Sequence, residues 1–264
     1  MFEFFFDLPL IIIGLTLVGG LCLFAMFGLA VVRRYVWPRL SVRAEDSEFT
    51  GAMLQSVMVF YGLAVALIAV SVWQTYSDVS KIVSSEASAL NALYRNVSSY
   101  PEPVRLELQQ LLREYTDQVI HGAWPLQRRG KTPTAGFAHM TRFQATLTKF
   151  EPTGEGQKIL HAETLRAYNM LIQARRMRLD AATTSLPSVM WGVIIAGAAI
   201  SLSAAFFFQV QDVRLHRIMV ILLAAFMGLV IFMILALDHP FRGELGISAE
   251  PYQLIYDQLM KSNP

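Results

Sequence analysis

The sequence has few charged side chains, and their distribution is uneven. Only 16% of its 264 residues are Asp, Glu, Lys or Arg, against about 25% in an average globular chain. None of them occurs in residues 8–32, 49–75, 187–208 and 218–237, so the other 170 residues carry all 42. This pattern excludes a single-domain cytosolic enzyme and a disordered chain. It indicates a soluble-like part joined to four apolar segments.

Cysteine is nearly absent, and histidine forms no metal-binding pattern. Cys22 is the only cysteine, so neither a disulfide framework nor a CxxC site can form. The five histidines show no HExxH and no i, i+4 pair. A net charge of +2 is too small to indicate nucleic acid binding. We therefore predict no enzyme activity, catalytic residue, metal or cofactor. Asp238 and His239 could form an acid–base pair, but with Pro240 they are better interpreted as a helix terminator.

Each charge-free segment is long enough to cross a bilayer as a helix, which takes about 20 apolar residues. The two short loops between these spans hold the arginines at positions 33, 34, 39, 43, 214 and 217. The positive-inside rule places both loops in the cytoplasm. The termini and the long insertion would then be extracytoplasmic, in a bacterial cytoplasmic membrane. A cytosolic insertion stays open, because Arg175, Arg176 and Arg178 crowd the outer end of the third span.

The insertion is predicted to be helical throughout. Apolar residues recur every three or four positions in 76–98, 104–121, 137–150 and 157–185. A loop through Pro125, Gly130, Pro133 and Gly136 separates the second helix from the third. We predict an all-α fold with four transmembrane helices and a helical-bundle insertion. Its parts are a first helix pair (1–75), the bundle (76–186), a second pair (187–240) and a short amphipathic tail (241–264).

Several motifs resemble those of a known family. FFDLP at 5–9, EASALNALYR at 86–95 and ALDHPFRG at 236–243 resemble the FDLP, EAxxLxxLYR and LDHPFRG motifs of a bacterial membrane protein family. That family, of unknown function, carries a bestrophin-like domain. The resemblance implies a homo-oligomeric, ligand-gated anion channel whose second span lines the pore. No residues of a bestrophin calcium clasp are found, so calcium gating is not implied. Bestrophins keep their insertion in the cytosol, in conflict with the charge rule.

The second span contains the candidate pore residues. Gly51, Gln55, Gly62 and Ala66 fall near one meridian of a helix. A close contact between helices would explain the small residues. A pore wall would explain them too, with Gln55 as a coordinating amide and Phe60 and Tyr61 as a hydrophobic constriction.

Two functions are therefore considered, both with the lipid bilayer as a partner. The first is a homo-oligomeric ion channel that conducts small ions such as anions. The second is a non-conducting membrane scaffold or sensor with a helical-bundle domain. The absence of charge within the spans argues against a proton-coupled transporter.

Two structural predictions concern the helix that begins in the second span. It should run unbroken from about residue 49 to 96, since no proline or glycine lies between Ala64 and Pro101. Its apolar seam beyond the membrane contains one carboxylate, Glu86, which needs a partner if buried. We predict an ion pair with Arg175, or with Arg178 or Arg176 if the helical phase differs, that is structural or gates the channel.

Overall fold

The computed structural model describes residues 9–39, 44–131, 133, 136–208 and 212–261, without the side chains of 44–50. Arg43 and the FDLP motif up to Leu8 lie outside this part. The part described is helical and contains no strand, which confirms the all-α class. The helices are α1 (Leu10–Val31), α2 (Ala44–Val97), α3 (Val104–Asp117), α4 (Trp124–Arg128), α5 (Phe137–Lys149), α6 (Glu155–Ala181), α7 (Ser188–Phe206), α8 (Val213–Asp238) and α9 (Glu250–Ile255).

Short non-α segments extend three of these helices. Val32–Val36 forms a π-helical turn and Trp37–Arg39 a 3₁₀ turn after α1. Gln118–Ala123 is a π-helical segment that joins α3 to α4, and Tyr256–Met260 extends α9.

Helix α2 is a single α-helix of 54 residues. The continuous helix predicted from about residue 49 to 96 is therefore confirmed. The physical reason is that no proline or glycine lies between Ala64 and Pro101. Every residue there can donate a backbone N–H, and none has the extra conformational freedom of glycine.

The chain divides into two compact units. The membrane unit comprises residues 1–74 and 185–238, and the bundle unit comprises 75–184 and 239–264. Four of the described helices are long and apolar enough to cross a membrane: Leu10–Arg39, Gly51–Val97, Ser188–Phe206 and Val213–Asp238.

Within the membrane unit, α1 packs closely against its neighbours at glycines. A Cβ atom on Gly28 would lie 2.4 Å from the ring of Phe206 on α7, and one on Gly228 would lie 3.0 Å from the backbone of Val18. Small residues let helix backbones approach in lipid, where the hydrophobic effect does not drive association.

The core of the bundle unit forms where α2, α3, α5 and α6 meet. The predicted seam of α2 is buried there at Val79, Val83, Leu90, Leu93 and Val97. The amphipathic tail packs on the same core, with Tyr252 fully buried.

The sequence placed one helix end incorrectly. Pro125 was predicted to lie in a loop, but it occupies the first turn of α4, and the helical path continues to Arg128. A proline cannot donate the backbone hydrogen bond of a regular α-helix, and here it directly follows the irregular π-helical segment Gln118–Ala123.

Candidate functional site

The predicted pore residues of α2 form an open face within a single chain. Gln55, Gly62 and Ala66 are exposed, and Gly51 is half-buried. No described heavy atom comes within 4 Å of a Cβ atom built on Gly62. Gly62 and Ala66 line a groove that is also bordered by Ser201 on α7 and by residues of α8. The small-residue face is therefore open to the surface in the part of the chain that the structure describes.

Tyr61 belongs to a different face of α2. Its hydroxyl donates a hydrogen bond of 3.0 Å to the carbonyl of Ile194 on α7. A Cβ atom on Gly197 would lie 2.3 Å from the Tyr61 ring, so this glycine makes room for the ring. The structure therefore directs Tyr61 to intrachain packing, at the edge of the groove that Gly62 and Ala66 line. Phe60 remains 73% exposed.

Glu86 is completely buried in the bundle unit, and its charge is matched by Arg178. The Nε atom of Arg178 donates to Glu86 Oε2 at 2.6 Å, and Nη2 donates to Oε1 at 3.2 Å. The hydroxyl of Tyr115 donates a third bond of 2.7 Å to Oε1. The carboxylate is thus satisfied in a bidentate, charge-assisted arrangement.

The guanidinium of Arg178 has further partners. Its Nη1 atom donates to Gln127 Oε1 at 2.7 Å. Its central carbon lies 5.5 Å from the ring centroid of Trp124 and 5.9 Å from that of Tyr252. These contacts join α6 to α4 and to the C-terminal tail around one buried cation.

Burial and charge shift the pKa of each titrating neighbour. Burial raises the pKa of Tyr115 well above its ordinary value, and the Glu86 carboxylate raises it further. The same two causes, in the same order, raise the pKa of Tyr252. Burial opposes the charge on Arg178, but Glu86 outweighs it, so the pKa of Arg178 lies above its ordinary value. Glu86 therefore holds the guanidinium of Arg178 in its charged form.

Arg175, the first-choice partner in the sequence prediction, does not bond to Glu86. Arg175 was chosen because it follows Tyr168 and Leu171 at helical spacing. In the structure, the buried residues after Leu171 are instead Ala174, Arg178 and Ala181. The buried face therefore continues three residues after Leu171, at Ala174, whereas the prediction continued it four residues after, at Arg175. Arg178, the substitute named for a phase error, occupies the partner position.

A family model described as the bestrophin-like domain matches residues 19–252. The chain belongs to the bestrophin-like family. No curated protein matches the sequence.

Solved structures share the fold at low identity. A variant of a bacterial bestrophin homologue from Klebsiella pneumoniae superposes with a TM-score of 0.67 at 11% identity, covering 94% of this chain and 99% of that one. A structure described as a membrane protein gives a TM-score of 0.69 at 10% identity, with 92% and 97% covered.

The motif EAxxLxxLYR of this bestrophin-like chain is explained by the buried pair. Glu86 is the carboxylate, and Leu90, Leu93 and Tyr94 are fully buried further along the same helix. The hydroxyl of Tyr94 also accepts a hydrogen bond of 3.1 Å from Arg113. The motif thus encodes one charged residue and its apolar surroundings on α2.

The second motif, LDHPFRG, lies where α8 ends. Helix α8 ends at Asp238, at the terminator formed by Asp238, His239 and Pro240. The carboxylate of Asp238 accepts bonds from the backbone N–H of Leu186 at 2.6 Å and from the indole of Trp191 at 3.3 Å. Beyond termination, Asp238 therefore ties the end of α8 to the start of α7.

The rest of that motif has packing and backbone roles within the bundle unit. Phe241 is buried with its ring 5.6 Å from that of Trp124. Gly243 has φ = +72°, a conformation that favours glycine.

Sequence reasoning missed the residues that complete the buried cluster: Tyr115, Trp124, Gln127 and Tyr252. Tyr115 lies within the predicted helix 104–121 and Tyr252 within the predicted amphipathic tail, but nothing in the spacing shows that their hydroxyl ends approach Glu86. In the part of the chain that the structure describes, no group of three or more His, Cys, Asp or Glu could hold a metal ion.

Proposed function

We propose that this bestrophin-like protein is a homo-oligomeric anion channel of the bacterial cytoplasmic membrane, with α2 lining the pore. The observation that carries the proposal is the open face of α2. Within this charge-free span, Gln55, Gly62 and Ala66 are exposed in a single chain, and a Cβ atom on Gly62 would meet no described atom within 4 Å. The family resemblance supplies the expectation of a channel.

Helix α2 has three distinct faces in the membrane unit. Tyr61, Val65 and Val72 pack against the chain's own helices. About 100° away around the helix lie Gln55 and the small residues. The remaining side carries large apolar residues that are strongly exposed, namely Phe60 (73%), Leu63 (57%) and Leu67 (64%).

These three faces suit a ring of subunits. One face would hold α2 to its own subunit, the large apolar face would meet the next subunit, and the small face would line the axis. Small residues on the axis leave room for an ion, and the exposed aromatic and aliphatic side chains would be covered by the neighbour. In a monomer, lipid would cover the apolar face equally well, but the polar amide of Gln55 would then face lipid without a partner.

Anion selectivity would have to come from neutral groups. Residues 49–75 contain no charged side chain of either sign, so a ring of charged residues, a usual basis of selectivity, is not available there. The amide of Gln55 can donate hydrogen bonds from its nitrogen to a passing anion.

The test is ion flux in liposomes that contain the purified full chain. We expect chloride flux that exceeds potassium flux. Ala66→Phe should abolish it by filling the small-residue face. Ala196→Phe is the matched control, since Ala196 is also an exposed alanine, on α7. A folded oligomer that passes no small ion would refute the channel and leave the scaffold or sensor.

The same proposal includes the orientation given by the arginine-rich loops, with the bundle unit and both termini outside the cytoplasm. Cys22 is the only native cysteine, so a Cys22→Ala chain can report on one introduced thiol. Lys81→Cys, at an exposed position of the bundle unit, should react with a membrane-impermeant thiol reagent on intact cells. Arg217→Cys should react only after lysis. The reverse result would place the bundle in the cytosol.

A further inference from the structure

Helices α1 and α8 are antiparallel neighbours, so the end of α1 meets the start of α8. Gly14 lies against Phe232, Gly228 against Val18, and the Cys22 thiol 3.8 Å from the carbonyl of Ile221. Along this series the residue number falls on α8 as it rises on α1. Two chain segments rich in arginine are therefore brought together at one end of the membrane unit.

A buried histidine holds these segments together. An Nη atom of Arg33 lies 3.0 Å from Nδ1 of His216, and Nε2 of the same ring lies 3.1 Å from the carbonyl oxygen of Ala205. A carbonyl oxygen only accepts, so Nε2 carries the proton and Nδ1 accepts from the guanidinium. The ring is 2% exposed, and it fixes the end of α1 against α7 and α8.

Four more arginines lie on the two segments that this hydrogen bond joins: Arg34 and Arg39 after α1, and Arg214 and Arg217 on α8. All four are exposed. Arg34 and Arg217 are the chain neighbours of Arg33 and His216, so their Cα atoms lie about 3.8 Å from those of the linked residues. We call these four residues the arginine patch.

No described carboxylate neutralises the arginine patch. None of its members forms an ion pair with a described residue. The nearest acid along the chain, Asp212, accepts a 2.7 Å bond from the backbone N–H of Arg214, which is a helix cap. The patch therefore presents several guanidinium groups without internal counter-charges in the described part.

The position of the patch indicates its partner. The charge-free segments end at Val32 and begin again at Ile218, so the arginines directly flank the apolar spans. Such residues lie at the depth of lipid headgroups. Tyr35 is exposed beside Arg34, and Trp37 lies 6.0 Å from the guanidinium carbon of Arg33. Aromatic rings of this kind are typical of the membrane interface.

We propose that the arginine patch binds the phosphate group of an anionic phospholipid. Guanidinium groups from two segments, held in register by His216, would bind phosphate oxygens with paired N–H donors. A lipid is favoured over a free anion because the patch adjoins the spans that the acyl chains would contact. The inference does not depend on whether the protein conducts ions.

The test is native mass spectrometry of the full chain, released from membranes that contain equal amounts of phosphatidylglycerol and phosphatidylcholine. We expect retained lipid to be enriched in phosphatidylglycerol. Arg214→Gln with Arg217→Gln should reduce the enrichment by about fivefold for each arginine removed. The control is Arg166→Gln with Arg176→Gln on exposed positions of α6, which changes the net charge equally.

A second pair of substitutions tests whether both segments form one site. Arg34→Gln with Arg39→Gln should reduce the enrichment in the same way, because the lipid would contact both segments. Equal reduction by the α6 control pair would show that only net charge matters and would overturn the proposal. Equal retention of the two lipids by the unmodified chain would also overturn the proposal. That result is expected if acidic residues at the start of α2 neutralise the patch.

A third arm separates a lipid from a free anion. Inorganic phosphate is added to the released complex in excess over lipid. We expect phosphatidylglycerol to remain bound, because its acyl chains contribute to binding. If inorganic phosphate displaces it completely, the patch is a site for soluble anions and the lipid assignment is wrong.

Discussion

Replacing Arg178 by methionine is the most direct test of the buried ion pair. The substitution removes two hydrogen bonds to Glu86, one to Gln127 and the cationic contacts with Trp124 and Tyr252. Methionine fills much of the space but cannot donate. The Glu86 carboxylate would keep only the bond from Tyr115.

The magnitude follows from which groups lose their partners. Removing one member of a buried pair leaves an uncompensated charge and costs about 3–5 kcal/mol of unfolding free energy. Replacing Glu86 by leucine as well removes that charge. The double variant should lose only about 1–3 kcal/mol, because the Tyr115 hydroxyl and the Gln127 amide then lack partners. The two substitutions should therefore be strongly non-additive.

Denaturant unfolding of the full chain in detergent gives the overall change. Hydrogen exchange at the amides of residues 86–97 and 167–181 reports the change within the bundle unit. Arg175→Met is the matched control, one turn earlier on α6 and without a bond to Glu86, and it should cost under about 1 kcal/mol. A loss below about 1 kcal/mol for Arg178→Met, or additive costs in the double variant, would refute the reasoning.

Three further predictions use the same measurements. Tyr115→Phe should cost about 1–2 kcal/mol because it loses the 2.7 Å bond to the Glu86 carboxylate, whereas Tyr252→Phe should cost less, since that hydroxyl bonds to no described atom. Both tyrosines have a raised pKa in the folded chain. The stability that they contribute is therefore complete below a pH of about 10 and falls as the pH rises further. Tyrosinate absorbance, measured together with the unfolding free energy as a function of pH, tests this direction. Gly28→Ala should cost about 1–3 kcal/mol through the clash with Phe206, and Gly19→Ala, which meets no atom within 4 Å, should not destabilise.

The sequence was sufficient for properties that depend on local chemistry. The long α2 helix followed from the absence of proline and glycine after Ala64, and the seam around Glu86 followed from helical spacing. Pro125 shows the limit of the same logic. A proline is compatible with the interior of a loop and with the first turn of a helix, and only the π-helical segment before it decides between them.

The partner of Glu86 required information that spacing does not contain. A step of three or four after Leu171 is compatible with an apolar stripe, so the sequence could not separate Arg175 from Arg178. The choice is made in three dimensions, where α6 meets α4 and the tail. Gln127 and Tyr252 surround only one of these arginines, and they lie 51 and 74 positions from it along the chain. Their contribution is visible only after the chain folds.

The two halves of α2 show why one helix can combine a charged seam with a charge-free span. Beyond residue 75, Glu86 is tolerated at zero exposure because three donors, two of them on Arg178 and one on Tyr115, satisfy its oxygens. Residues 51–74 are mostly exposed within the chain. No such set of donors surrounds them there, and an ionised side chain facing lipid would remain uncompensated. The polar groups that the span carries are neutral, and one of them, the Gln55 amide, lies on the exposed small-residue face. It would meet water or an ion there only if copies of α2 surround an axis, and this is the arrangement that the flux experiment tests.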